Sequence, residues 1–181
     1  SVLNTTNNLV ADFDKSENAL FNVTFPEGLV TDSSYNHFDY FTAQPATLMV
    51  TGDLNGDALI DITLVDDLNN TLYRYYRKAD NSGFENPVQE TLLNAAASDM
   101  VIEDIDGDGL ADIAICYGTS PAHLTVHFNN GDNTFETKNL TLVGNGASDL
   151  EVADLRHDGV KDLSVLTIDP DFGTSIVEII Y

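Results

Sequence analysis

Residues 103–115 read EDIDGDGLADIAI. Asp104, Asp106, Asp108 and Asp112 fall within this short stretch, two glycines lie among them, and an apolar run follows. Carboxylates at that spacing repel one another and favour an open, solvated loop. Either the segment is a disordered acidic run or a cation sits among the acids.

Composition rules out disorder for the chain as a whole. Its 181 residues are 43% hydrophobic and only 20% charged, which is globular composition at a length that suits one domain. Thirty acidic residues against seven basic ones give a formal net charge of -23. A surface of that sign repels nucleic acid and anionic membranes. A halophile-type surface would explain the excess, but the acids are mostly aspartates clustered in loops. No apolar run is long enough to span a bilayer and no signal peptide is evident, so the chain reads as soluble or already processed, without membrane insertion. Cys116 stands alone in the apolar run IAICY and is expected to be a buried free thiol.

The acidic stretch recurs. TGDLNGDALIDITLV covers 51–65, IEDIDGDGLADIAIC covers 102–116, and VADLRHDGVKDLSVL covers 152–166. The leading aspartates, Asp53, Asp104 and Asp154, stand 51 and 50 residues apart. Each copy reads as apolar strand, D-x-x-x-D-x-x-x-D loop, apolar strand, and a fixed period of this length marks a repeat architecture.

The segments between the loops must position them, and they are strand-like. LTVHF alternates, with Leu124, Val126 and Phe128 on one face and Thr125 and His127 on the other. His123 and His127 are expected at exposed polar positions. TLYRYYRK, FETKNLTLV and SIVEIIY are rich in β-branched and aromatic residues, and ADNSG, NNGDN and GNG are turn signals. No convincing amphipathic helix is found. Each period holds about four short strands, the unit of a β-propeller blade.

With its D-x-[DN]-G-D-G-x-x-D hairpin and its period near 50 residues, the chain resembles the FG-GAP/VCBS repeat family, as in the integrin α-subunit propeller. The resemblance covers roughly 45–181. The first two loops match closely; the third carries Arg156 where Asp or Asn is expected. Residues 1–44 match poorly, since LVADFDKSEN offers Asp12 and Asp14 but no closing aspartate.

A hard dication answers the question the acids raise. Calcium takes about six to eight oxygens in flexible geometry. Loop positions 1, 3, 5 and 9, with the carbonyl of position 7, supply them. These are Asp53, Asn55, Asp57, Asp61 and the Leu59 carbonyl in the first loop. In the second they are Asp104, Asp106, Asp108, Asp112 and the Leu110 carbonyl. Gly56, Gly107 and Gly109 let the chain curl. The closing Asp at position 9 separates this pattern from an EF-hand, magnesium prefers compact octahedral sites, and zinc lacks its Cys and His ligands. Two calcium sites are therefore expected. In the third loop Asp154, Asp158 and Asp162 remain as weaker candidate ligands, with Arg156 neutralising them internally as the alternative.

The expected fold is all-β, a partial β-propeller of about three four-stranded antiparallel blades with calcium-binding hairpin loops. Residues 45–98 form the first blade, 99–147 the second and 148–181 an incomplete third. Residues 1–44 hold irregular strands, among them ALFNVTF at 19–25, that complete a blade. The expected function is a non-enzymatic, calcium-stabilised extracellular or cell-surface module for adhesion or self-assembly. It would work as a ring, a filament or part of a larger propeller. The resemblance implies protein or glycan partners, and the net charge argues against nucleic acid. The rival reading is a carbohydrate-binding or carbohydrate-processing domain, with Tyr73, Tyr75 and Tyr76 as a stacking surface or, alternatively, as strand packing between blades. No nucleophile elbow, P-loop or HExxH pattern occurs, and the close carboxylate pairs are already taken up by the loops. N-x-[ST] sequons at Asn4, Asn22, Asn69 and Asn139 are candidate N-glycosylation sites.

Overall fold

A computed structural model describes residues 46–80, 82–92, 94 and 96–181. The expectations placed on 1–44, including the sequons at Asn4 and Asn22 and the strand at 19–25, lie outside the described residues.

Eleven strands and no helix are found among the described residues, in three antiparallel sheets. The first sheet holds β1 (Leu48–Gly52), β2 (Asp61–Asp66), β3 (Thr71–Tyr75) and β4 (Val88–Thr91) in sequence order. The second holds β5 (Ala97–Glu103), β6 (Asp112–Tyr117), β7 (His123–Asn129) and β8 (Phe135–Thr141), again in order. The third has three strands, β9 (Asn145–Ala153), β10 (Asp162–Ile168) and β11 (Ser175–Ile180), with β10 in the middle. Each sheet is a meander, as a chain with short turn-forming connections dictates. The first strands of the sheets, β1, β5 and β9, pack beside one another. This is the arrangement of consecutive propeller blades, and among the described residues the set does not close.

Two apolar layers hold the sheets together. Between the first and second sheets lie Val65 and Leu72 against Met100, Ile113, Ile115 and Tyr117. Between the second and third lie Ala114, Cys116, Leu124 and Val126 against Leu150, Leu163 and Val165. The middle sheet is thus covered on both faces. That is why β6 after its opening Asp112 is a continuous apolar run, IAICY, rather than an alternating one, and why all six of its residues are buried. Cys116 is a buried free thiol, as expected; burial raises its pKa and keeps it protonated. Close approach of β1 to β5 requires Gly52, since a Cβ there would stand 2.5 Å from the Ile102 side chain.

One expectation is overturned. His127 and Thr125 are not exposed: both are buried, His127 at 2% relative accessibility. LTVHF does present two faces, but the second face meets the first sheet instead of water. There Arg74 bonds Glu90 at 2.6 Å, and Glu90 reaches His127 Nδ1 at 3.2 Å. The Arg74 guanidinium also lies over the Phe135 ring, 4.6 Å from its centroid. His123 is half-buried and contacts Thr119 through Nδ1.

Candidate metal centre

Each acidic loop joins the first two strands of its sheet, and its ninth residue opens the second strand. Asp61, Asp112 and Asp162 begin β2, β6 and β10, and all three are fully buried. Their oxygens clamp backbone amides. Asp61 accepts from Leu54 N at 2.9 Å and Arg77 N at 2.8 Å; Asp112 accepts from Ile105 N at 2.9 Å and Asn129 N at 2.8 Å. Burial pushes the pKa of Asp61 and of Asp112 up, and these amide bonds only partly oppose it. A carboxylate oxygen has two lone pairs, so one bond at each oxygen leaves room for a cation ligand.

The leading aspartate sets the curl. Asp104 Oδ1 accepts from Gly107 N at 2.8 Å and Oδ2 from Gly109 N at 3.0 Å. Asp53 does the same with Gly56 N and Ala58 N, both at 2.8 Å. Asp154 Oδ2 accepts from Gly159 N at 3.0 Å. The curl needs left-handed backbone at the fourth and sixth positions. The fourth-position φ is 72° at Gly56, 82° at Gly107 and 55° at His157; the sixth is 65° at Ala58, 91° at Gly109 and 87° at Gly159. The fifth-position acids fix the next turn: Leu59 N donates to Asp57, Leu110 N to Asp108 and Val160 N to Asp158, at 2.8, 2.8 and 3.0 Å. The three loops therefore share one backbone form.

In the second loop this form draws Asp104, Asp106 and Asp108 together, each with an oxygen within 4.8 Å of the others. Three hard, anionic oxygens converging without a positive side chain among them suit an oxygen-seeking dication such as calcium; Asp112, the buried closing acid, is not one of the group. The trio is the one such acid group found among the described residues. The first loop has the neutral Asn55 at the third position. Its Nδ2 donates to Asp57 Oδ2 at 3.1 Å and its Oδ1 accepts from Asp57 N at 3.2 Å, so Asn55 already sits beside the acid it would join in binding. In the third loop, Arg156 takes the third position and bonds Asp162 and Asp158.

In the sequence Asn129 is marked only as part of the turn NNGDN, with nothing local to signal a further role. The Asn129 Nδ2 donates to the carbonyls of Leu54 at 2.7 Å and Ala111 at 3.0 Å, and so ties the first loop to the second. A shallow acidic cleft bearing Asp53, Glu103 and Asp104 lies between these two loops.

Residues 53–115 and again 104–165 match the FG-GAP-like repeat. The chain belongs to the FG-GAP-like repeat family. Each FG-GAP-like match runs from the start of one acidic loop through the next loop and into the strand beyond it. The matched unit thus runs from the acidic loop of one sheet to that of the next and into its second strand. No curated protein matches the chain.

Proposed function

We propose that this FG-GAP-like chain is a non-enzymatic, calcium-stabilised extracellular module for adhesion or self-assembly, acting as a ring, a filament or a part of a larger propeller. The convergence of Asp104, Asp106 and Asp108 carries the reading, because it places three oxygens for a hard cation inside a loop of the family repeat. In this reading Asp53, Asn55, Asp57, Asp61 and the Leu59 carbonyl hold one calcium ion. Asp104, Asp106, Asp108, Asp112 and the Leu110 carbonyl hold another. A bound ion would screen the carboxylates from one another and fix the hairpins that lead each blade into its second strand.

An extracellular setting follows from the same chemistry, since calcium modules there bind at about 10⁻⁴–10⁻³ M, where loops of modest affinity are filled. The exposed Asn139 on the outer strand β8 and Asn69 in the β2–β3 turn are the described candidates for N-glycosylation. FG-GAP repeats favour protein over glycan partners. Tyr75 and Tyr76 are 5% and 8% exposed and cannot serve as a sugar-stacking surface. No helix among the described residues is long and apolar enough to cross a membrane. Assembly is supported by the third sheet, whose strand β11 pairs only with β10 among the described residues and exposes Val177 and Ile179.

Calorimetric calcium titration of the chain, with melting followed in calcium and in chelator, tests the reading. Two ions and a calcium-dependent rise in melting temperature are expected. Asp108→Ala should remove one ion and leave the other. A melting curve indifferent to calcium sinks the proposal.

A further inference from the structure

The third loop has the same backbone as the other two but a different side chain at its third position. Asp154 accepts from Asp158 N and Gly159 N, Asp158 accepts from Val160 N, and His157 and Gly159 take the left-handed backbone that Gly107 and Gly109 take in the second loop. His157 does so without being glycine, so the curl is imposed by these bonds and not by chain freedom. Where Asp106 points an oxygen, Arg156 brings a guanidinium. Its Nε donates to Asp162 Oδ1 at 2.9 Å and its terminal nitrogen lies 3.3 Å from Asp158 Oδ2. Asp162 Oδ1 is the counterpart of the oxygens of Asp61 and Asp112 that accept from Arg77 N and Asn129 N. The guanidinium is also stacked over the Tyr181 ring, 4.7 Å from its centroid. It is thus held from two sides, by two loop acids and by an aromatic face beyond the end of β11.

We infer that Arg156 is the resident cation of the third loop, so that this blade carries its own positive charge and needs no metal where the other two take calcium. Arg156 removes one ligand oxygen, adds a positive charge inside the ligand shell, and engages two of the three remaining carboxylates. A dication entering the loop would have to displace a guanidinium bonded to Asp162 and stacked on Tyr181. The consequence is a division of labour along the chain: calcium controls the first two hairpins and leaves the third unchanged. This rests on the calcium reading of the first two loops.

The test compares the wild-type chain with Arg156→Asn, which restores the residue type that the first loop carries at Asn55. Calcium is counted by calorimetric titration and native mass spectrometry, and circular dichroism checks the fold. The variant is expected to take one ion more than the wild type, three against two. An equal count in a folded variant, or three ions in the wild type, overturns the inference. A wild type that takes no calcium fails the calcium reading, whereas a wild type that takes two beside a variant that gains none, or a wild type that takes three, fails Arg156 alone. If the variant does not fold, hydrogen exchange on the wild-type chain decides. Gly109 and Leu110 amides should exchange faster in chelator, while Gly159 and Val160 amides should exchange alike with calcium or chelator. Faster exchange of the third-loop amides in chelator overturns the inference.

Discussion

The side-chain amide of Asn129 donates to the backbone carbonyl of Leu54 at 2.7 Å, joining the last residue of β7 to the acidic loop of the preceding blade. The same Nδ2 donates to Ala111 O, Asn129 Oδ1 accepts from Gly131 N, and Asn129 N donates to Asp112. One 4% exposed residue thus connects both hairpins that the calcium reading concerns. Asn129→Ala leaves the Leu54 and Ala111 carbonyls without their amide partner. An unsatisfied buried group costs about 1–3 kcal/mol, so the variant is expected to lose about 2–4 kcal/mol. Urea unfolding checks this; a loss below about 0.5 kcal/mol would show that the bond holds nothing together.

The polar cluster at the same blade interface predicts an acid limb. The hydrogen bond from His127, joined by that from Arg74, holds the Glu90 pKa down to about 2 against an ordinary 4.5, with partial burial opposing. The folded-state value lies below the unfolded one, so Glu90 adds stability above pH 4.5 and loses it as pH falls towards 2. Wild type and Glu90→Gln should therefore differ in stability at neutral pH and converge as pH is lowered through that window. Comparing the pair cancels Asp61 and Asp112, whose raised pKa gives the opposite slope in calcium-free protein. Parallel curves from pH 6 to pH 2 would remove Glu90 from the acid response.

The loops were legible because their chemistry is local: three or four acids within nine residues, repeated at a near-constant period, define both the blade and the candidate ligands before any contact is known. The strand order was legible for the same reason, since short turns between strand-like runs leave only meanders. What could not be read depends on which surface meets which. His127 looks like an outward polar residue until the first sheet brings Glu90 and Arg74 onto it. Asn129 looks like a turn residue until Leu54 of the neighbouring blade arrives. Asp61 and Asp112 are expected from the sequence only as ligands, and their buried hold on Arg77 N, just past β3, and on Asn129 N, at the end of β7, emerges from the sheet.

Ala58 stands where the second and third loops have Gly109 and Gly159, and it keeps the left-handed form at φ 65°. An L-residue there costs roughly 1–2 kcal/mol, while glycine loses about 0.5–1 kcal/mol in chain entropy. Ala58→Gly should thus stabilise the chain by up to about 1 kcal/mol and raise its melting temperature by a few degrees. Gly109→Ala should do the reverse. Differential scanning calorimetry in calcium measures both, and a stabilised Gly109→Ala would show that the curl is not what strains the loop.

The third sheet makes the assembly part of the function testable. Strand alternation places Leu163, Val165 and Thr167 of β10 towards the second sheet and Ser164, Leu166 and Ile168 away from it. Pairing with β11 sets Ile179 opposite Ser164 and Val177 opposite Leu166, so these four share the outward face. Val177 is 63% exposed and Ile179 43%. The corresponding face of the second sheet, Ala114 and Cys116 with Leu124 and Val126, is the one that the third sheet covers. An apolar face at the same place in the repeat invites another blade, and a strand edge with no partner among the described residues beside it adds main-chain bonding. Sedimentation velocity over a range of concentrations is expected to show self-association of the chain. Val177→Lys with Ile179→Lys should shift it towards monomer while leaving the calcium count unchanged, because neither residue touches the first two loops. A wild-type chain that stays monomeric throughout, or an association indifferent to both lysines, would take this face out of the proposed assembly.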